Sequence, residues 1–328
     1  MSIRIAGTGM YVPEKILTNA DLERMVDTSD EWIRTRTGIE QRHIAAEHET
    51  TSDMAYHAGL RAMEAAGISP DAIDVIIVAT TTPDHTFPNT ASLLQNRFKA
   101  PKAFCFDIST ACTGLISSLE IAYALLDSRP QYRYALVFGA EKLSCITNWS
   151  DRNTCVLFGD GASCVLLEKK DDGLPSSLLA SALHADGQYG NILKLPAGGS
   201  FMPACQESID KKMHAIFMEG KETFKLAVGA MLSACEETIR DAGVASSDIA
   251  LVIPHQANVR IIQAVAKRLE VPNERVFCNI ARYGNTSAAS IGICLDEAIR
   301  SGRLKRGDLV LMTSFGGGLT WGALLIRY

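Results

Sequence analysis

Ala66-Gly67-Ile68-Ser69-Pro70-Asp71-Ala72-Ile73-Asp74-Val75-Ile76-Ile77 aligns without a gap on Ala242-Gly243-Val244-Ala245-Ser246-Ser247-Asp248-Ile249-Ala250-Leu251-Val252-Ile253. Each stretch reads as a helix closed by Ala-Gly, a short polar link and a buried strand. The order that follows is also shared. A helix comes next, Asn89 to Phe98 in one copy and Asn258 to Leu269 in the other. Then come apolar strands at Ala103 to Ile108 and Arg275 to Ile280, and helices rich in small residues at Cys112 to Leu126 and Asn285 to Arg300. Strands at Tyr134 to Gly139 and Asp308 to Ser314 close the two copies. Strand–helix–strand–helix–strand, repeated, predicts a duplicated α/β chain with mainly parallel sheets and helices of both halves packed between them. Residues 169–217 are the least regular stretch and read as loops and strands added to the second half.

Composition narrows the function classes. The chain has 328 residues with 47% hydrophobic and 21% charged, enough apolar material for a large core. A net charge of -5 argues against a general nucleic-acid binder. No apolar run reaches the ~18 residues of a membrane helix, and Met1 to Pro13 lacks the pattern of a secretory signal. The 9 cysteines form no Cys-x-x-Cys pair, which speaks against a zinc site or a disulfide framework. A reduced, cytoplasmic protein without a metal is expected.

The duplication also places chemistry. Cys112 and Asn285 hold corresponding places, each expected to open a helix after a strand, and His255 ends the strand that corresponds to Val75–Thr80. Ligands of open α/β sheets gather at the carboxyl ends of strands. A cysteine at a helix start is expected to have a lowered pKa and to act as a nucleophile. A histidine can donate to a developing oxyanion or enolate. An asparagine amide can donate to a thioester carbonyl without a change of charge. Taken singly, each has a plain alternative: a structural cysteine, a histidine bonded for structure, an asparagine N-cap. Phe315-Gly316-Gly317-Gly318-Leu319-Thr320-Trp321-Gly322 reads as a tight hairpin that can also aim a backbone N–H at an oxyanion. Gly159-Asp160-Gly161 reads as a hairpin between Cys155–Phe158 and Cys164–Leu167. Gly7-Thr8-Gly9 lacks the third glycine of a nucleotide loop.

Several motifs occur together and in order: Asp30-Glu31-Trp32-Ile33-Arg34-Thr35-Arg36-Thr37-Gly38-Ile39, the segment Asp107 to Gly114 around Cys112, Pro254-His255-Gln256-Ala257-Asn258, Gly284-Asn285-Thr286-Ser287-Ala288-Ala289-Ser290, and Phe315 to Trp321. With them the chain resembles the β-ketoacyl-acyl carrier protein synthase III family from Ile3 to Tyr328. The resemblance implies a duplicated thiolase-like α/β fold, layered α-β-α-β-α with two mainly parallel mixed sheets. Its N-terminal half, 1–170, would carry the nucleophile, and its C-terminal half, 171–328, the His and Asn.

The implied activity is decarboxylative Claisen condensation of a short acyl-coenzyme A starter with malonyl-acyl carrier protein, giving 3-oxoacyl-acyl carrier protein. Cys112, His255 and Asn285 would be catalytic, and the N–H groups of Cys112 and Gly317 would form the oxyanion hole. Trp32, Arg36 and Arg152 would grip the far end of coenzyme A, and Phe224 and Asn258 would line the pantetheine tunnel. Lys225 and Arg260 would dock the acyl carrier protein. Phe87 would reach into the acyl pocket of a neighbouring subunit, so a homodimer is implied, with no cofactor.

Ser109-Thr110-Ala111-Cys112-Thr113 is more polar than the commoner alanine-rich version, and its hydroxyls are expected to cap the helix start. A 3-hydroxy-3-methylglutaryl-coenzyme A synthase would need a glutamate near the cysteine, and Ala79-Thr80-Thr81-Thr82-Pro83-Asp84 offers none. An elongating synthase would place a second histidine where Asn285 stands. A quinolone- or polyketide-type starter enzyme would share the triad, and a silent acyl-binding scaffold is the rival from another class.

Overall fold

The computed structural model describes the whole chain, Met1–Tyr328. In chain order the strands are β1 Ser2–Tyr11, β2 Lys15–Thr18, β3 Gln41–Ile44, β4 Val75–Ala79, β5 Phe104–Ile108, β6 Tyr134–Glu141, β7 Gly161–Lys170, β8 Leu178–Ala185, β9 Leu193–Lys194, β10 Phe217–Met218, β11 Ile249–Pro254, β12 Leu309–Gly316 and β13 Thr320–Arg327. The helices are α1 Asn19–Glu23, α2 Asp30–Thr37, α3 Thr51–Ala66, α4 Thr90–Phe98, α5 Gly114–Ser128, α6 Arg152–Cys155, α7 Gln206–Asp210, α8 Gly220–Ala242, α9 Val259–Arg268, α10 Ile280–Tyr283 and α11 Ala289–Arg300. No helix is long and apolar enough to cross a membrane.

The aligned stretches fold alike. α3 and α8 each end on a left-handed glycine, Gly67 at φ 65° and Gly243 at φ 66°, a conformation that costs an L-residue with a side chain more. A 3-10 turn follows each, Pro70–Ala72 and Ser246–Asp248, and then β4 and β11. One sheet has the order β1-β7-β6-β4-β5 and the other β8-β13-β12-β11. Position by position, β1, β7, β6 and β4 of the first correspond to β8, β13, β12 and β11 of the second. Both sheets are mixed, but less parallel than expected. Only β6-β4-β5 and β11-β12 pair in parallel, because the chain returns from β6 to β7 and from β12 to β13 antiparallel.

The strand expected at 275–280 does not form. Asn273–Arg275 is a 3-10 turn and Ile280–Tyr283 is α10, with one isolated bridge from Val276 to Val252. The Gln256 side chain replaces the missing ladder: its Nε2 donates to Pro254 O and Phe277 O, and its Oε1 accepts the Asn279 N–H. The irregular stretch supplies β8 to the edge of the second sheet, beside β13.

Three apolar clusters separate the layers. α5 and α11 fill the middle, with Leu115, Leu119, Ile291 and Leu295 packed among Val75, Val137, Leu251 and Val310 of the two sheets. Met54, Ala58 and Leu94, from α3 and α4, cover the outer face of the first sheet. Met231, Ile262 and Val265, from α8 and α9, cover that of the second. The result is α-β-α-β-α. Gly7 and Gly9 serve this packing: a Cβ there would meet the backbone oxygens of Ala62 at 2.3 Å and Ala58 at 2.2 Å, so β1 lies against α3 through bare backbone.

Candidate active site

Cys112 lies in the 3-10 turn Ala111–Thr113 that leads into α5. Ala111, just before it, takes φ 47°, a left-handed conformation rare for a residue with a side chain, so the backbone turns sharply to present the thiol. The Ser314 hydroxyl donates to Cys112 O at 2.8 Å. A Cβ on Gly316 would meet Cys112 N at 2.7 Å, so only glycine lets β12 come this close. Cys112 is half-buried: it opens on a cavity while the surrounding protein shields the sulfur. That burial pushes the thiol up to about 12, opposed by a hydrogen bond from Ser287 and reinforced by the negative charge of Glu141. The expectation of a lowered pKa is therefore reversed, since desolvation outweighs the short helix start. Nor do the hydroxyls around Cys112 cap the helix: neither Thr110 nor Thr113 makes a side-chain cap bond, and the Thr113 hydroxyl donates to Thr110 O instead.

His255 follows β11 and is 2% exposed. Its Nδ1 lies 2.7 Å from Ser290 Oγ, which also accepts the Gln256 N–H at 3.4 Å. With that N–H on the oxygen, the Ser290 hydroxyl can give its proton to Nδ1, leaving Nε2 as the N–H donor. Nε2 has no partner in the protein and His255 lines the cavity. Burial holds the imidazole neutral by lowering its pKa to about 3. A neutral donor in a dry cavity suits the stabilisation of negative charge on a substrate oxygen.

Asn285 is not the helix cap its spacing implied. α11 starts four residues later, at Ala289, and Asn285 pairs with Phe158 in an isolated bridge. Its Oδ1 accepts the Ser287 N–H at 2.8 Å, which turns the amide so that Nδ2 is left for a ligand. The supposed hairpin at Gly159–Gly161 is part of the same arrangement. Cys155 ends α6 rather than entering a strand, and the Gly159 N–H donates to Asn285 O at 3.0 Å. Gly317 does lie in a hairpin, between β12 and β13, and its N–H makes no hydrogen bond within the protein.

Cys112, His255, Asn285, Gly317, Phe224 and Asn258 all line one cavity of about 390 Å³. Phe224, Asn258, Ile216 and Met218 also form walls of a wider vestibule of about 1100 Å³, which opens past Trp32, Arg36 and Arg260. The sequence reading missed the three lysines of the vestibule, Lys211, Lys212 and Lys221, which come from the irregular stretch and the start of α8. Arg152 stacks over Trp32 at 4.9 Å. Asn258 caps α9 by accepting the Arg260 N–H at 2.9 Å and ties that helix to α2 by donating to Arg36 O at 3.0 Å. The Arg260 guanidinium sits over the Phe224 ring at 5.3 Å. Lys225 points away from these cavities; its side chain is 78% exposed and its nearest acid, Glu222, is 4.0 Å distant. Phe87 is 85% exposed on the loop between β4 and α4.

Comparison with known proteins places this geometry. Residues 106–187 match the model of 3-oxoacyl-[acyl-carrier-protein (ACP)] synthase III, and residues 239–328 match that of its C-terminal part. The β-ketoacyl-[acyl-carrier-protein] synthase III of Caldanaerobacter subterraneus subsp. tengcongensis is 53% identical over 99% of this chain and 97% of its own. The chain belongs to the β-ketoacyl-[acyl-carrier-protein] synthase III family. The crystal structure of the 3-oxoacyl-[acyl-carrier-protein] synthase III of Aquifex aeolicus superposes with a TM-score of 0.91 at 50% identity, covering 100% of both chains. The priming β-ketosynthase of the R1128 polyketide pathway superposes with a TM-score of 0.91 at 32% identity, covering 99% of this chain and 96% of its own. The protein is thus a condensing acyltransferase of fatty-acid synthesis. Its family joins an acyl-coenzyme A starter to malonyl-acyl carrier protein and yields 3-oxoacyl-acyl carrier protein.

The site of this synthase holds one acidic residue that the sequence reading passed over. Glu141 ends β6, is 0% exposed and raises the pKa of Cys112. The end of β4 offers no glutamate; the acid stands at the end of the neighbouring strand, β6. The available signal was a charge closing the apolar run Val137-Phe138-Gly139-Ala140-Glu141.

Proposed function

We propose that Cys112 takes the starter acyl group from acyl-coenzyme A and that His255 and Asn285 then hold the malonyl thioester carbonyl while carbon dioxide leaves. The observation that carries this reading is the unpartnered Nε2 of His255, a residue that lines the same cavity as Cys112 and Asn285. Two neutral donors there stabilise an enolate oxygen without a proton transfer to the carbon that must attack. The free N–H of Gly317, with that of Cys112, suits the oxyanion of the acyl-transfer step. Trp32, Arg36 and Arg152 receive the adenine and phosphate end of coenzyme A, and Phe224 and Asn258 line the way in. Lys225 and Arg260 form the rim that meets the acidic carrier protein. In this reading residues 1–170 and 171–328 are the two halves, and the protein works in the cytoplasm.

In the homodimer that this reading includes, Phe87, 85% exposed on its loop, enters the neighbouring subunit's acyl pocket. Intact mass after mixing with acetyl-coenzyme A tests the nucleophile. The enzyme gains one acetyl group on Cys112, and a binding scaffold gains none. The likeness to the R1128 priming enzyme favours one second reading, a starter enzyme for a specialised metabolite. Rates with acetyl-, butyryl- and isobutyryl-coenzyme A, measured side by side with malonyl-carrier protein, separate the two.

A further inference from the structure

The hydroxyl groups around Cys112 cap no helix; they tie its turn to the neighbouring hairpin instead. Thr113 is buried and gives its hydroxyl proton to Thr110 O at 2.6 Å, the same carbonyl that accepts the Thr113 N–H at 3.2 Å. These two bonds close the turn that carries Cys112. A hydroxyl has one proton to give, so Thr113 Oγ is left as an acceptor. Thr320 Oγ lies 2.7 Å from it. The Thr110 and Gly317 carbonyls stand farther from Thr320 Oγ, at 3.2 and 3.4 Å, so its proton is best placed on Thr113 Oγ. The result is a chain of hydroxyls from Thr320 through Thr113 to Thr110 O. Thr320 begins β13 and pairs with Gly316 across the hairpin that presents Gly317. A second tie runs beside the first, from the Ser314 hydroxyl of β12 to Cys112 O at 2.8 Å. The hairpin lies directly on the turn, since a Cβ on Gly317 would be 3.7 Å from the Ala111 Cβ. No main-chain hydrogen bond joins the turn to the hairpin, so side-chain hydroxyls hold the two together.

We propose that Thr113 and Thr320 are positioning residues that brace the oxyanion hole, their hydroxyl bridge holding the Gly317 N–H in register with the Cys112 N–H. The inference rests on the reading of Cys112 as the nucleophile with those two N–H groups beside it. In that reading a carbonyl oxygen gains negative charge twice. It does so when Sγ attacks the thioester carbon of acyl-coenzyme A, before the bond to the coenzyme A sulfur breaks. It does so again when the enolate carbon attacks the acyl-cysteine, before the bond to Sγ breaks. Donors aimed at such an oxygen serve the transition state only near the right distance, so an N–H that drifts by about an ångström can forfeit ~10² in rate. Neither step passes a proton through the two hydroxyls. Their contribution is geometric, and the pH profile of each step should not depend on them.

Thr113→Val keeps the shape of the side chain and removes the hydroxyl. Acylation by acetyl-coenzyme A, followed by rapid quench and intact mass over a range of concentrations, should reach a saturating rate roughly 10–10² lower. The concentration at half-saturation should stay within about two-fold, because the walls that hold the ligand do not change. Condensation of pre-acylated enzyme with malonyl-carrier protein should slow by a similar factor. Thr113→Ser, which restores the hydroxyl, should recover most of both rates. Thr320→Val should reproduce the loss; Thr320 is only partly buried, so this variant carries the test even where the buried site rejects valine. The double variant should lose no more than the worse single variant, because both cut one bridge. Wild-type rates in Thr320→Val overturn the brace, as do additive losses in the double variant or a failure of Thr113→Ser to recover. A loss of affinity in step with the loss of rate also overturns it, since that is the mark of general damage to the site. Failure of the wild-type enzyme to gain an acetyl group on Cys112 overturns instead the nucleophile reading on which the brace rests.

Discussion

β4 and β11 are equivalent strands of the two sheets, and their carboxyl ends serve the site in different ways. β4 runs into Thr80-Thr81-Thr82, whose hydroxyls and one N–H surround the buried carboxyl group of Glu141. β11 runs into His255, a cavity-lining imidazole kept neutral by burial, with one nitrogen free of any partner in the protein. In the proposed reading the first half supplies the nucleophile, and the second supplies donors whose charge does not change, from His255 and Asn285 to the enolate and from Gly317 to the acyl oxyanion. A duplicated scaffold offers two sets of strand ends, and in this reading they have diverged into different chemical roles. The comparison breaks if Cys112 proves not to take the acyl group or if the donors of the second half prove dispensable.

The largest expected effect falls on the first half. Cys112→Ala should abolish acyl-enzyme formation, while changes at the exposed Cys145 or Cys205 should leave it intact. Acyl transfer that persists in Cys112→Ala, read by intact mass, would remove the nucleophile from its place. The second half should fail differently. Asn285→Ala deletes a donor proposed to act on the enolate, a loss that typically costs ~10²–10³ in rate. It should still accept an acetyl group on Cys112 and then condense slowly. Normal condensation in this variant would reduce Asn285 to a backbone anchor for Ser287 and Gly159.

A third test lies where the halves touch. A Cβ on Gly139 of β6 would meet Ala288 O at 2.2 Å, at the start of α11. Backbone cannot yield as a side chain can, so Gly139→Ala should destabilise the fold by about 1–3 kcal/mol, as overpacked cores do. The midpoint of urea unfolding reads this. An unshifted midpoint would show that α11 and the Asn285 segment are free to move relative to the first sheet.

The duplication was legible because it is written in strong local signals: two Ala-Gly helix ends, two β-branched runs and two helices of small residues. Cys112, His255 and Asn285 were legible as candidates because they stand at corresponding ends of those elements. What escaped depends on contacts distant in sequence. The pair Gln256–Phe277 cancels an expected strand through one side chain. Glu141 meets Thr81 across 60 residues. The direction of the Cys112 shift was missed because periodicity shows a helix start but not how deeply the sulfur is buried. Lys211 and Lys212 come from the stretch with the weakest pattern, where no period links a residue to a face, and Lys221 stands just beyond it at the start of α8.

The smallest expected effect concerns the rim, where Lys225 and Arg260 began as equals. The structure separates them. Arg260 lines the vestibule with Trp32 and Arg36 and lies over Phe224, so anything that enters passes it. Lys225 is an open cation outside that passage. With a chain of net charge -5 and an acidic carrier protein, docking must draw on such local cations against overall repulsion. An exposed charge pair contributes only ~0.2–1 kcal/mol, so Lys225→Glu should raise KM for malonyl-carrier protein roughly two- to five-fold. The effect should shrink as salt rises from low to moderate ionic strength. Acylation by acetyl-coenzyme A should stay unchanged, because that ligand is proposed to enter through Trp32, Arg36 and Arg152. Arg260→Glu should raise KM in both half-reactions, since it puts a negative charge on the shared wall. Selective loss of carrier binding in Arg260→Glu, with none in Lys225→Glu, would move the docking surface from the outer face of α8 to the vestibule mouth itself.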